Sequence, residues 1–203
     1  MSEMIILVDE NDREIGYGEK LQVHRENRLH RAFSIFIADR KEKKLLLQKR
    51  ALDKYHSGRL WTNACCSHPR MGETMRDALV NRLKVELGLE VPEDLRILQA
   101  DDAAGFRKSG GENVIYETGS FRYFAPFDGL SEHEIDHVFV YFSGPEGFDR
   151  GAFSLNPEEV AETVWIRIGD LTDWMAESPD DFTAWFRPAY ALAEKLLKEQ
   201  LQI

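Results

Sequence analysis

Cysteine is scarce in this 203-residue chain: there are two, Cys65 and Cys66, and they are adjacent. Neighbouring cysteines are poorly placed to bridge each other, and one pair cannot make a disulfide framework. In a reducing compartment such thiols are either small buried hydrophobes or chemically useful groups. Long apolar runs are also missing. None approaches the ~20 residues that cross a bilayer, and the opening MSEMIILVDENDREIG has neither a basic leader nor a small-residue cleavage site. The sequence therefore predicts a cytoplasmic protein with no membrane partner. Basic charge is in deficit, with 26 Lys and Arg against 36 Asp and Glu and a formal net charge of −10. That balance argues against nucleic acid as a partner, because neutralising phosphates needs a basic surface. A small phosphorylated ligand needs only a few Lys and Arg converging locally.

A hydrophobic content of 43%, with 11% aromatics, is enough for a core. The length suits one domain, 1–203, with at most one large insertion. Residues 4–8 and 13–17 read as an N-terminal hairpin around the turn-rich Asp9-Glu10-Asn11-Asp12. Residues 29–38 alternate, with Phe33, Ile35 and Ile37 on one face, and 45–50 follow as a partner strand. Residues 51–72 look irregular. Met75, Leu79, Leu83 and Leu87 then recur every fourth residue, Thr74 and Asp77 resemble a capping box, and Gly88 is a natural C-cap, which predicts a helix over 74–87. A strand near 94–99 precedes the stretch 101–119, which has no clear period and reads as an insertion. Further strands are expected at 121–125, 134–142 and 163–168, and helices at 171–176 and from 181 onward, the last broken or kinked by Pro188. Strands interspersed with two or three helices imply an α/β sandwich.

Three segments carry chemistry, each with an ordinary alternative. His24 and His30 flank the start of the 29–38 strand; two histidines at that spacing are commonplace on their own. WTNACCSHP, residues 61–69, sets Cys66 and His68 two apart beside a proline. In SEHEIDH, residues 131–137, Glu132 and Glu134 point to one face at strand spacing, as a solvated edge or a hard-cation site. Together they offer three imidazoles and two carboxylates, a plausible site for Mn²⁺, Zn²⁺ or Mg²⁺. On the 74–87 helix, Arg82 and Glu86 lie four apart, either as a surface ion pair or as an arginine beside a carboxylate for Mg²⁺ on phosphate oxygens.

The run 67–89 resembles a decayed Nudix box, G-x5-E-x7-R-E-U-x-E-E-x-G-U. Glu73, Glu86 and Gly88 hold their places, while Ser67, Asn81, Arg82 and Val85 depart from it. A hydrolase of this kind gathers cations on the helix carboxylates, so Arg82 in place of one argues against diphosphate cleavage. With LHRAFS, KRALDK, WTNACCSHP, FRYFAPFD and SEHEID, the chain resembles type I isopentenyl-diphosphate isomerases from the hairpin to about Trp185. The resemblance implies a Nudix-like α/β/α sandwich with a mixed central sheet and an N-terminal hairpin. It implies metal ligands at His24, His30, His68, Glu132 and Glu134, and a Mg²⁺ ligand for the diphosphate at Glu86. Cys66 and Glu134 match the family's catalytic pair, and Tyr123 and Trp185 its aromatics around the reacting carbons. Lys20, Arg50, Lys54 and Arg82 match its diphosphate contacts.

The implied substrates are isopentenyl and dimethylallyl diphosphate, handled by a monomer or weak homodimer. The double bond would move through a tertiary carbocation, with an acid and a base on either side of a dry pocket. A Nudix-type diphosphate hydrolase and a non-catalytic metal- or diphosphate-binding module are the rival readings. The first would release phosphate; the second would leave Cys66 dispensable.

Overall fold

The computed structural model describes residues 3–54, 56–102 and 113–203. Its centre is strand β3 (His30–Asp39), almost continuously buried. The alternation seen in the sequence sends Phe33, Ile35 and Ile37 to one face and Phe36 and Ala38 to the other, each against its own core. A strand apolar on both faces must be covered on both. On the first face it meets α2 (Met75–Leu87), whose Leu79, Leu83 and Leu87 are fully buried. On the second it meets α4 (Phe186–Leu201) through Phe186, Ala189, Tyr190 and Leu197, with α3 (Ile168–Glu177) completing that layer. Each buried Leu or Phe among them contributes about 1.5–3 kcal/mol by burial, so the packing on both faces of the sheet holds the layers together.

Among the described residues, one sheet of ten strands joins these layers. Its path runs β10 (Val160–Arg167), β4 (Lys44–Arg50), β3, β9 (Leu130–Phe142), β8 (Val114–Phe127) and β7 (Arg96–Gln99). β3 pairs with β9 in parallel, as β7 does with β8, while β8–β9, β3–β4 and β4–β10 are antiparallel. The sheet is therefore mixed, as expected. Short β5 (Trp61–Thr62) and β6 (Cys65–Ser67) attach to β4 and β3, giving order to part of 51–72. The hairpin of β1 (Met4–Val8) and β2 (Glu14–Glu19) joins through β3.

Three expectations need correction. Residues 114–119 belong to β8 rather than to an insertion. The register shifts between Glu117 and Gly119, where Gly119 adopts φ 129°, and that irregularity interrupts the alternation from which a strand is read. Of the rest of the expected insertion, Asp101 and Asp102 end a 3-10 turn, and 103–112 lie outside the described residues. Pro188 does not break a helix: α4 begins at Phe186, so Pro188 sits in its first turn, where the missing N–H has no intrahelical partner to lose. Residues 182–185 are not helical, because Phe182 bridges Trp61 and Thr183 donates its N–H to the Trp61 carbonyl. The expected ends of α2 are present. Thr74 accepts from the Asp77 N–H, and Gly88 closes the helix at φ 65°. Among the described residues no helix is long and apolar enough to cross a membrane.

The hairpin turn is fastened to the sheet by charge. His137 of β9 lies with Nδ1 2.7 Å from Glu117 and Nε2 2.9 Å from Asp12 of the turn, and Asp12 also accepts from Arg31 Nε at 2.8 Å. Burial opposes the imidazolium, but the Glu117 hydrogen bond and the Asp12 charge raise His137 above the ordinary histidine value. A group whose folded value is raised stabilises fully below its unfolded value of about 6.5, and loses that contribution as pH rises through the folded value. His137→Gln is therefore expected to cost on the order of 1 kcal/mol at pH 6 and little at pH 9. Urea unfolding at the two pH values checks this; an equal loss at both would mean that His137 is neutral.

Candidate active site

Strand register assembles the chemistry. His30 of β3 pairs with Glu134 of β9, and Glu134 pairs on its other side with Tyr123 of β8, so three functional side chains stand abreast on three adjacent strands. Glu132, two residues before Glu134, shares its face and is likewise buried. β6 pairs antiparallel with β3, setting Cys66 opposite Ser34, and His68 follows directly after β6. His24 comes from α1 (Lys20–Arg25), a six-residue helix with no periodicity to announce it. Glu19 caps α1, accepting from the Leu21 and Gln22 N–H groups.

The five expected metal ligands meet. One donor atom from each of His24, His30, His68, Glu132 and Glu134 lies within 4.8 Å of every other, and all five residues are buried. His24 Nε2 is 3.2 Å from Glu132 Oε2, and His68 Nε2 is 2.7 Å from Glu134 Oε1. Nδ1 of His24 lies 2.6 Å from the Lys20 carbonyl and Nδ1 of His30 lies 2.8 Å from that of Arg28. Each carbonyl draws the ring proton to Nδ1 and turns the Nε2 lone pair inward, the arrangement a metal-bound histidine needs. His30 Nε2 and Glu132 Oε2 are buried facing ion-pair neighbours at 3.2–3.9 Å, none of which makes a well-aligned hydrogen bond to them. A divalent cation at the centre would satisfy both atoms, so the residues fit a metal.

Charge inside this pocket is strongly perturbed. Burial and the neighbouring Glu134 push Glu132 up to about 8. Glu134 is held well below the usual carboxylate range, although burial opposes it, by hydrogen bonds with Glu132, His30 and His68. Burial presses His68 down to about 3 against the pull of Glu134. Two carboxylates this close cannot both stay ionised without a cation between them.

Over the cluster opens a pocket walled by Cys66, Tyr123, Glu134 and Trp185. The Tyr123 hydroxyl donates to Glu134 Oε2 at 2.6 Å, and burial with that carboxylate raises the phenol well above its ordinary value. Cys66 is partly exposed, whereas Cys65 points the other way into the α2 core. Burial pushes the Cys66 thiol up to about 12 despite the Arg50 guanidinium, whose Nη1 lies 3.7 Å from Sγ. Trp185, the residue before α4, is 3% exposed and carries Arg50 over its ring at 5.2 Å. Its ring lies 6.4 Å from that of Tyr123.

Basic residues gather in the same pocket: Lys20, Arg50, Lys54 and Arg82 all line it. Lys54 pairs with Glu159, and Arg82 reaches the same carboxylate at 3.5 Å. Arg82 and Glu86 form an ion pair at 3.0 Å that is buried, not the surface pair that their spacing alone suggests. Glu86 also accepts from Gln48 Nε2 at 3.0 Å; burial raises it, and Arg82 opposes that rise. Arg82 and Glu159 are on the wall, with Glu86 behind Arg82.

Among the wall residues that the sequence reading does not single out are His56, Asp136 and Glu159. His56 stands at the pocket with Nε2 2.5 Å from Glu132 Oε1, and Glu159 holds Lys54 and Arg82. His56 and Glu159 lie on connections with no period to mark a face. The signal within reach is position: His56 lies two residues past Lys54, the last residue of the KRALDK run.

A NUDIX domain model matches residues 28–186 of the chain. The chain is 41% identical over 187 residues to an isopentenyl-diphosphate Delta-isomerase of Serratia proteamaculans, covering 92% of this chain and 88% of the relative. It is also 41% identical, over 186 residues, to the isopentenyl-diphosphate Delta-isomerase of Burkholderia multivorans, covering 92% and 90%. Among solved structures, a Deinococcus radiodurans protein superposes with a TM-score of 0.59 at 19% identity, over 87% of this chain and 90% of its own. A MutT protein from Methanosarcina mazei gives 0.54 at 14% identity, over 84% and 94%.

Proposed function

Because this chain belongs to the NUDIX-domain isopentenyl-diphosphate Delta-isomerases, we propose that its pocket moves a carbon–carbon double bond with Cys66 and the Tyr123–Glu134 pair as proton carriers. The chain interconverts isopentenyl and dimethylallyl diphosphate. The terminal CH₂ gains a proton, the positive charge rests on the tertiary carbon, and the CH₂ next to it gives up a proton. The reaction runs both ways, so each carrier gives a proton in one direction and takes it in the other. The observation that carries the assignment is that a thiol and a tyrosine-linked carboxylate, from β6 and β8–β9, line one aromatic-walled pocket.

Tyr123 feeds a proton along its 2.6 Å bond to Glu134. Trp185 offers a π face to the cation, worth about 2 kcal/mol in a dry site. Lys20, Arg50, Lys54 and Arg82 bind the diphosphate equally in ground and transition states, so they position the substrate and leave the proton steps to the other wall. Their convergence explains how a chain of net charge −10 holds an anion.

His24, His30, His68, Glu132 and Glu134 would hold a Mn²⁺, Zn²⁺ or Mg²⁺, and Glu86, the carboxylate behind Arg82, would hold a Mg²⁺ once Arg82 turns to the diphosphate. When bound, these ions supply positive charge that keeps the carboxylates ionised and neutralises phosphate oxygens. In this reading a single domain, 1–203, works in the cytoplasm as a monomer or weak homodimer.

The test is proton NMR of isopentenyl diphosphate with Mg²⁺ in D₂O. Dimethylallyl diphosphate carrying deuterium, with no phosphate released, is expected. Release of phosphate would replace this reading with hydrolysis, and unchanged substrate with metal-loaded protein would replace it with binding alone.

A further inference from the structure

The connection from β4 to β5 brings a fourth imidazole to the metal cluster, from a residue outside the ligand set. His56 Nε2 lies 2.5 Å from Oε1 of Glu132, while Oε2 of the same carboxylate faces His24 at 3.2 Å and His30 at 3.9 Å. The two oxygens thus have separate neighbours. A nitrogen and an oxygen come this close only with a proton between them. From this geometry we propose that His56 is a positioning residue: its Nε2–H holds Glu132 Oε1 and thereby keeps Oε2 turned toward the metal. The inference rests on the metal reading of the five-residue cluster.

The surroundings fix the ring and suit this tautomer. Nδ1 lies 3.1 Å from the Ser57 hydroxyl, which can donate to it when the ring proton is on Nε2. The ring stacks on Phe127 at 4.5 Å and 20°, and meets Trp185 edge-on at 6.0 Å and 80°. Arg50 Nη2 donates to the His56 carbonyl at 3.4 Å. Just beyond, Ser57 is held in a left-handed conformation at φ 52°, and a Cβ on Gly58 would lie 2.6 Å from the Leu52 carbonyl oxygen. A tight turn under backbone strain therefore presents a ring clamped on two sides. Only Oε2 of Glu132 approaches His24 and His30, so the imidazole on Oε1 supports the ligand from behind, as partners of metal-bound carboxylates do.

Mn²⁺ titration calorimetry on chelator-stripped protein tests this with two variants and an unfolding midpoint for each. His56→Phe keeps a flat ring against Phe127 and Trp185 but removes the donor, and should weaken Mn²⁺ binding about 10–100-fold. His56→Gln keeps a donor within reach of Oε1 but loses the ring, and should bind within about threefold of the parent. Stripped forms should unfold within a few degrees of one another, which separates positioning from general destabilisation. Parental affinity in His56→Phe, or a loss in His56→Gln of tenfold or more, overturns the role. If phenylalanine is not tolerated, the glutamine variant alone decides by the same threshold. A parent that takes up no Mn²⁺ overturns the metal reading and this inference together, whereas a parent that binds normally beside an unaffected His56→Phe overturns only the inference.

Discussion

Cys66→Ala is expected to lower turnover of isopentenyl diphosphate by at least ~10³-fold while leaving KM within a few-fold of the parent. A positioned acid or base is worth about 10²–10⁴-fold, and on its wall of the pocket the thiol is the carrier assigned here. The diphosphate contacts are untouched, so substrate binding should survive; loss of an interaction made only in the transition state lowers kcat and kcat/KM together. Stability should change little, because Cys66 is partly exposed and its strand is held by backbone pairing with Ser34. Cys65→Ala is the matching control. Cys65 is fully buried among Leu79, Leu83 and their neighbours, so its loss should cost on the order of 1 kcal/mol of stability and leave turnover near parental. NMR progress curves with urea unfolding measure both. A Cys66→Ala enzyme within tenfold of the parent would remove the thiol from the mechanism.

Glu134→Gln should be more damaging still, with no turnover above background and a metal affinity at least ~10-fold weaker. Glu134 is in contact with His68, His30 and Tyr123, so one amide substitution breaks the ligand set and the proton relay together. Glu132→Gln separates the two roles. Glu132 touches His24 and His56 but receives no hydrogen bond from Tyr123. Its metal affinity should fall in the same way, yet excess Mn²⁺ should restore much of its turnover. Excess Mn²⁺ should do nothing for Glu134→Gln. Turnover measured across a metal titration distinguishes them, and recovery of Glu134→Gln would confine that residue to holding metal.

Where the chain repeats a simple period, the sequence was readable. Phe33, Ile35 and Ile37 announced the central strand, and Thr74, the spaced leucines and Gly88 announced α2 with both ends. Legibility failed where tertiary contacts override local pattern. The shift at Gly119 hid half of β8, and α1 is too short to show a period. Contacts with Trp61 keep Phe182 and Thr183 out of the helix, and a turn at 184–185 leads into it. For the site, residue types and the family likeness proposed the ligand set, but no spacing could say that β3, β6 and β9 would bring them together. The burial of the Arg82–Glu86 pair was equally invisible, since i and i+4 report one helical face without saying what covers it. His56 and Glu159 belong to the same class, brought to the pocket wall by tertiary location alone.

The register that sets His30, Glu134 and Tyr123 abreast also fixes when the site exists during synthesis. Its ligands run from His24 to Glu134, and β3 pairs with a strand about one hundred residues downstream. No fragment emerging early from the ribosome carries a usable subset. Trp185 follows Glu134 by roughly fifty residues, a delay of several seconds at about 5–20 residues per second. Because α4, which covers the second face of β3, is made later still, the five cluster residues are synthesised well before the layer that buries their strand, and the pocket closes only once residues 186–201 have been added.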